Sequence, residues 1–253
     1  MNPSNGQRGP VEPDAYRLMS SHEDHHWWFV GRRAVISAML ARIPMPPQAK
    51  VLEAGCGTGG NLYLLSQLGE ISAFEPYDEA RDLARAKYPD GAIHDGELPF
   101  RIPFEPGSFD LVVALDVLEH VEDDDNALRS LVSMARPGGR ILVTVPAIQS
   151  LWGSHDRRLH HVRRYDAARL KRICHASGAS IDYLTYFNTV LAPIAIAYRM
   201  GERFSGRNLG NQERTPPGPI NRLLAATFSV ERHAIRRTRI PFGLSLGVIL
   251  IKD

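Results

Sequence analysis

Residues 53–61 combine carboxylate, glycine and amide groups at spacings that suit a nucleotide-like ligand. The run reads Glu-Ala-Gly-Cys-Gly-Thr-Gly-Gly-Asn, between a short predicted strand and a predicted helix. Glycines there let the backbone approach a ligand closely, and the first turn of a helix offers free N–H groups. Gly55, Gly57 and Gly60 also match the GxGxxG pattern, with Glu75 about 20 residues further on. The loop alone fits either a nicotinamide or flavin enzyme or a protein that binds a nucleoside without a phosphate.

A second segment suited to chemistry is residues 154–165, Ser-His-Asp-Arg-Arg-Leu-His-His-Val-Arg-Arg-Tyr. Histidine titrates near neutral pH and is the commonest general base. We predict His155 as the first candidate base with Asp156 as its orienting partner, and His161 as the second candidate. Arg163 and Tyr165 are predicted to hold a polar or anionic acceptor. No metal site is predicted, because the histidines of this segment lack a recognised ligand motif.

An aromatic motif lies near the amino terminus, Glu-Asp-His-His-Trp-Trp-Phe-Val-Gly-Arg-Arg at 23–33. It either closes a lid over the ligand or anchors the apolar face of a helix on the sheet. In the first case Trp28 contacts the substrate, and His25 or His26 reaches it.

Alternating strands and helices must position these groups. Apolar runs predict strands at 50–53, 71–74, 92–94, 109–115, 140–145, 181–187 and 244–251. Helical spacing predicts helices at 27–43, 61–68, 78–88, 124–135, 166–176 and 220–238. This alternation indicates an α/β fold with a doubly wound, mostly parallel sheet. We predict one domain over 27–253, with insertions at about 147–165 and 188–219, after a disordered or lid-forming segment 1–26.

Taken in order, these segments resemble the class I S-adenosylmethionine-dependent methyltransferases. The loop resembles the family's motif (Asp/Glu)-x-Gly-x-Gly-x-Gly. Glu75 matches the acidic residue that takes the ribose hydroxyls, and Asp95 matches the position near the adenine amino group. Asp-Val-Leu-Glu-His-Val at 116–121 resembles the segment beside the methionine end of the cofactor, and Arg-Pro-Gly-Gly-Arg at 136–140 resembles the turn before the fifth strand. Dehydrogenases do not carry this series.

The resemblance implies a Rossmann-like seven-stranded sheet with an antiparallel last strand, and S-adenosyl-L-methionine as cofactor. The implied cofactor-binding residues are Glu53, Gly55, Cys56, Gly57, Gly59, Asn61, Glu75, Pro76, Asp95, Gly96, Glu97, Leu98, Asp116, Val117 and His120. Of these, His120 has two further interpretations, a general base and a packing residue beside the cofactor. We interpret Glu119 and the acidic run at 122–125 as a solvated face and a helix start.

Charge is divided unevenly along the chain. Residues 1–150 carry 13 Lys and Arg against 21 Asp and Glu, whereas residues 151–253 carry 17 against 7. An acidic half suits a cationic sulfonium cofactor, and a basic half indicates an acidic acceptor or an anionic surface. The apolar stretch 189–200 is too short to span a bilayer, and it fits an acceptor pocket, a membrane-surface or homodimer contact, or plain packing. Nucleic acid is disfavoured as a partner, because no recognised reader motif is present.

The function that these features favour is O-methylation of a small-molecule, sugar or lipid-linked acceptor, with a histidine general base. A subgroup with a His-Asp…His-x-Arg-Arg-Tyr pattern, which residues 155–165 resemble, includes members that act on saccharide or lipid-linked intermediates. The alternatives are N- or C-methylation, an NAD-dependent oxidoreductase, and a non-catalytic partner protein with a cofactor fold. Two cysteines and the lack of a long apolar run predict a cytoplasmic protein, with or without peripheral contact to a membrane.

Overall fold

The computed structural model describes residues 13–205 and 215–253. The strands are β1 (Ala49–Ala54), β2 (Gly69–Glu75), β3 (Ala92–Asp95), β4 (Phe109–Leu115), β5 (Ala135–Pro146), β6 (Ala179–Phe187) and β7 (Ser245–Lys252). The helices are α1 (Pro13–His22), α2 (Trp27–Leu40), α3 (Leu62–Ser66), α4 (Asp78–Lys87), α5 (Asp124–Met134), α6 (Ser154–Arg158), α7 (Ala167–Ala176), α8 (Ala192–Ser205), α9 (Gly218–Ser229) and α10 (Glu231–Ile235).

All seven strands form one sheet in the order β3-β2-β1-β4-β5-β7-β6. Only β7 runs antiparallel, between β5 and β6. The predicted doubly wound sheet with an antiparallel last strand is therefore confirmed. Two apolar cores lie on its faces, one beneath α5 and α7 and the other beneath α2, α3 and α9. β4 is buried almost throughout, as its continuous apolar sequence predicts.

The strand order reverses between β1 and β4, which are neighbours in the sheet although β2 and β3 intervene in sequence. Ligands of open α/β sheets bind in the crevice beyond the carboxyl ends of the strands at such a switch point. The predicted glycine loop directly follows β1, and Asp116 directly follows β4. The fold thus brings the glycine loop and Asp116 to the same crevice.

The sequence prediction and the structure differ in several element bounds and in the helices α6 and α8, which were not predicted. The helix predicted over 220–238 is two helices, because the Ser229 Oγ donates to the Ala225 carbonyl oxygen at 2.6 Å, a contact that bends helices. β5 begins at Ala135 instead of 140, because Ala135 pairs with Phe109 across a bulge. Within the segment 1–26, residues 13–22 form α1, while residues 1–12 lie outside the described residues, as do residues 206–214 of the second insertion.

In the part of the chain that the structure describes, we find no helix both long and apolar enough to cross a membrane.

Candidate active site

The glycine loop has the backbone that its sequence predicts. Gly55, Gly57 and Gly59 have φ angles of +66°, +53° and +87°, a region that other residues avoid. A Cβ at Gly55 would lie 2.9 Å from Val117 Cγ2, and one at Gly59 would lie 3.0 Å from the Ala84 Cα. The loop therefore requires glycine for conformation and for space.

Glu75 ends β2 directly beside this loop. Its Oε2 accepts a hydrogen bond from the Gly57 N–H at 2.9 Å, and its Oε1 accepts one from the Tyr77 N–H at 3.3 Å. The side chain is buried, and this burial raises the pKa of Glu75 to about 7. The carboxylate thus holds the glycine loop at the edge of the switch-point crevice.

Glu53 lies beneath the loop at the end of β1. Asn61 Nδ2 donates to its Oε1 at 3.2 Å, whereas Oε2 has no hydrogen-bond partner among the described residues. Burial raises the pKa of Glu53 to about 8. A buried polar atom without a hydrogen-bond partner is costly until a partner reaches it, so a polar group of a ligand would be stabilised here.

Arg32 of α2 is a site residue that the sequence prediction did not include. Its Nη2 lies 2.6 Å from Asp116 Oδ2, and the Thr144 hydroxyl donates to Asp116 Oδ1 at 3.0 Å. Asp116 itself has a φ of +60°, a strained backbone that often marks functional sites. Arg32 belongs to the aromatic motif 23–33, and this motif is the sequence signal that could have indicated it.

The amino-terminal helix α1 and the turn after it cover the glycine loop. The Thr58 hydroxyl donates to the buried Glu23 carboxylate at 2.9 Å, and Lys87 forms an ion pair with the same carboxylate. The rings of Tyr16 and Tyr77 lie 5.8 Å apart. This arrangement agrees with the lid interpretation of the segment that precedes α2.

Asp95 is the last residue of β3 at the same edge of the sheet, and two arginines form ion pairs with it. Arg81 Nη1 lies 3.2 Å from its Oδ1, and Arg101 forms an ion pair with its Oδ2. Glu97 is exposed and faces Arg101 at 3.5 Å, while Leu98 packs in the apolar core. The predicted role of Glu97 and Leu98 in holding the cofactor therefore stays a prediction.

The remaining predicted cofactor residues frame the loop without directing polar groups into it. Cys56 is buried, and its backbone N–H donates to the Phe74 carbonyl oxygen at 3.2 Å. Pro76 follows Glu75 in the chain. A Cβ at Gly96 would lie 2.7 Å from Pro103 Cδ, so this glycine serves close packing.

The fully buried carboxylate of Asp156 organises the basic segment. Its Oδ1 accepts from His161 Nδ1 at 3.0 Å and from Arg164 Nε at 2.7 Å. Its Oδ2 accepts from the Gly153 N–H at 2.9 Å and from Arg199 Nη1 of α8 at 3.2 Å. Burial alone would raise the pKa of Asp156, but the His161 hydrogen bond, the Arg164 guanidinium and the Gly153 N–H lower it well below its usual range.

The predicted pairing of His155 with Asp156 differs from the observed one. Asp156 holds His161 through Nδ1, and His155 Nδ1 instead lies 3.5 Å from Arg158 Nη2. The α6 helix that carries both His155 and Asp156 directs their side chains apart. Burial and the nearby Arg199 charge lower the pKa of His155 to about 3, which leaves it neutral but a weak base.

Glu119, His120 and His161 form a cluster at the mouth of this region. The rings of His120 and His161 are 4.8 Å apart in an edge-to-face arrangement. Glu119 is only 1% exposed, so its interpretation as part of a solvated face is wrong. The basic segment buries it by lying across it, with the Val162 N–H donating to the Glu119 carbonyl oxygen at 2.7 Å.

Two predicted acceptor residues are structural instead. Tyr165 is fully buried, and its hydroxyl donates to Asp124 Oδ2 at 2.9 Å. Arg163 donates to the Val121 and Glu122 carbonyl oxygens, both at 2.7 Å. These contacts fasten the basic segment to the β4–α5 connection, so neither side chain is available to an acceptor.

Trp28 remains near the site. The Arg32 guanidinium lies 5.2 Å from the centroid of its ring, and the tryptophan also packs on the core beneath α2. Its predicted contact with the substrate remains a prediction.

A doubly wound sheet with this loop, these strand-end carboxylates and one antiparallel strand defines the Rossmann-like class I methyltransferase fold. Residues 29–184 match the family model described as a methyltransferase domain, and the chain belongs to that family. The protein is an S-adenosylmethionine-dependent methyltransferase. The oxidoreductase and non-catalytic alternatives for the glycine loop are thereby set aside.

The relatives agree with this assignment. The chain is 28% identical over 184 residues to a protein of Mycolicibacterium smegmatis named a probable S-adenosylmethionine-dependent methyltransferase, covering 72% of this chain and 70% of that one. It is 30% identical to the malonyl-[acyl-carrier protein] O-methyltransferase of Enterobacter lignolyticus, over 51% of this chain and about half of that protein (54%). A chain from the complex of the Haloferax volcanii Trm112 methyltransferase activator with a methyltransferase superposes with a TM-score of 0.64, at 18% identity, over 96% of this chain and 98% of that one.

The residues present fit S-adenosyl-L-methionine. Glu75 offers acceptors for ribose hydroxyls, the orphaned Glu53 Oε2 offers an acceptor to an amino group, and Arg32 offers a cation for a carboxylate. When bound, the cofactor supplies an activated methyl group on a sulfonium. The protein's share is to hold and orient the two reactants, because positioning dominates an in-line transfer.

Glu75 makes cofactor affinity depend on pH. A protonated Glu75 must lose its proton before both oxygens accept from ribose hydroxyls, so we expect S-adenosylhomocysteine affinity to fall by up to about tenfold per pH unit below pH 7. Calorimetric titrations between pH 5.5 and 8.5 measure this. The Glu75→Gln variant should bind weakly with little pH dependence, and a wild-type affinity that is constant across this range would contradict the assignment.

Proposed function

We propose that the protein transfers the methyl group of S-adenosyl-L-methionine to an oxygen of a small-molecule acceptor. The supporting observation is the hydrogen-bonded pair of Asp156 and His161, beside the switch-point crevice. A hydroxyl acceptor must lose a proton during methyl transfer, and a carboxylate-held imidazole is the common group for this task. A neutral amine can attack through its own lone pair, and a carbanion has already lost its proton. The Asp156–His161 pair therefore favours O-methylation over N- or C-methylation.

His161 is the proposed general base. An ionised Asp156 can only accept hydrogen bonds, so the proton of the shared contact resides on His161 Nδ1. The Nε2 lone pair is then free to take the acceptor proton. Asp156 acts through His161 and is a positioning residue, while His155, whose ring lies 6.5 Å from that of His161, is the second candidate base.

The proposed acceptor is anionic or lipid-linked. Exposed apolar side chains lie on and before α8 and on α9, among them Val190, Ile194 and Leu223. Exposed arginines follow on α9, on α10 and in the connection to β7, at 222, 232, 236, 237 and 239. Apolar and basic groups together suit an amphiphilic anion or an anionic membrane surface. A second copy of this chain on the same face is the competing use of this surface.

The test is transfer of an isotopically labelled methyl group to matched acceptor panels that present either a hydroxyl or an amine on the same apolar or anionic scaffold. We expect labelled ether or ester products from hydroxyl or carboxyl members, and faster transfer to members with a phosphate or an acyl chain. Transfer to the amine members alone would contradict O-methylation. Equal transfer to neutral and anionic members would contradict the proposed acceptor class.

A further inference from the structure

The buried Glu119 carboxylate lacks the partners that its burial demands. It is 1% exposed, and neither Oε1 nor Oε2 has a hydrogen-bond partner among the described residues. An unsatisfied buried carboxylate costs several kcal/mol unless a cation or donors reach it. Its backbone is fixed by the single turn Leu118–His120 and by the Val162 N–H, so it has little freedom to move to solvent.

Two imidazoles face the same space. One ligand-type atom from each of Glu119, His120 and His161 lies within 4.8 Å of the other two. His161 is already arranged as metal-binding histidines usually are, because its Nδ1 donates to a carboxylate and Nε2 is left as the free lone pair. His120 is exposed, so ions have a path to the cluster from solvent.

We propose that Glu119, His120 and His161 bind a divalent transition-metal cation, with Asp156 as the outer carboxylate that orients His161. Two imidazoles and one carboxylate are the donor set of Zn²⁺ and Fe²⁺ sites that leave open coordination positions, and nitrogen donors disfavour Mg²⁺. Asp116 of the switch-point crevice is a charged neighbour of both Glu119 and His120, so the cluster lies close to that crevice.

This inference deepens the proposed function. Only the effect of the cation on methyl transfer rests on the proposed function. A cation and a proton compete for the same Nε2 lone pair. With the cation bound, His161 would be a ligand, the metal would lower the pKa of the acceptor hydroxyl, and the released proton would pass to solvent water. The binding of the cation itself requires neither an acceptor nor methyl transfer.

The experiment is a Zn²⁺ titration of chelator-treated protein without a histidine tag, saturated with S-adenosylhomocysteine, followed by calorimetry and by the thermal shift. We expect one Zn²⁺ per chain, a raised Tm, and no response to Mg²⁺. Glu119→Gln and His120→Asn should each weaken Zn²⁺ binding at least about tenfold. His160→Asn is the matched control, because His160 is exposed in the same segment and outside the cluster.

Absence of Zn²⁺ binding by the wild type would overturn the proposal, as would binding that survives both cluster substitutions or is lost in His160→Asn. His120→Asn keeps the test decisive if Glu119→Gln does not fold, because His120 is exposed. The titration contains no acceptor, so its failure leaves the proposed methyl transfer untouched, and a failure to find an acceptor leaves the cation site untouched.

Discussion

Replacing His161 by Gln is expected to lower kcat by about 10²–10⁴-fold, the usual contribution of a positioned base. Glutamine keeps much of the side-chain length but cannot take the acceptor proton. Glu75 and Arg32, which we expect to hold the cofactor, are unchanged in this variant, so S-adenosylhomocysteine affinity should stay within about twofold of the wild type. Single-turnover methyl transfer and a parallel calorimetric titration measure the two quantities.

His160→Asn again serves as the control, because asparagine tolerates the φ of +55° at this exposed position. We expect its kcat to match the wild type. A loss of kcat in His155→Ala, with full activity in His161→Gln, would move the base to His155 and contradict the role of the Asp156–His161 pair. Equal loss of cofactor affinity and kcat in His161→Gln would instead indicate a structural role.

The second large effect is expected from Gly57→Arg, which should lower S-adenosylhomocysteine affinity by at least about 100-fold. A non-glycine residue at φ +53° costs about 1–2 kcal/mol. A Cβ there would also lie 3.5 Å from Met19 Cε, so a long side chain must enter the space between the loop and α1. The substitution also disturbs the backbone N–H that Glu75 holds.

Gly178→Arg is the control variant, because it introduces the same kind of backbone strain at a position outside the glycine loop. Gly178 has a φ of +78° in the turn before β6, and a Cβ there meets nothing within 4 Å. Both variants should lose thermal stability, but only Gly57→Arg should lose cofactor affinity. Unchanged affinity in Gly57→Arg would refute the assignment of the loop.

The cofactor side could be predicted from sequence because its signals are local. A strand, a glycine run and a helix follow one another within residues 49–66, and backbone sterics alone explain why glycines stand at 55, 57 and 59. Strand ends of a parallel sheet share one edge, so Glu75 and Asp116 were expected near the loop without knowledge of any side-chain contact.

The acceptor side depends on tertiary contacts that no local pattern encodes. Asp156 stands next to His155 in sequence but holds His161, because the α6 helix and the left-handed turn at His160 bring residue 161 back to it. Glu119 resembles a surface acid beside an acidic run, and only the packing of Val162 against its backbone buries it. Arg163 and Tyr165 likewise donate hydrogen bonds to the β4–α5 connection and the start of α5.

The four hydrogen bonds of Asp156 also have a bearing on how this protein could change its acceptor. Arg164 and Gly153 tether the carboxylate to the insertion after β5, while Arg199 tethers it to α8 of the insertion after β6. The described segment from Gly153 to Arg164 and the helix α8 are therefore joined into one unit. If only one of these two segments were exchanged with that of a relative, the buried charge of Asp156 or the charge of Arg199 would lose its partner. Exchanging both together, or varying exposed side chains of α8, would preserve these contacts.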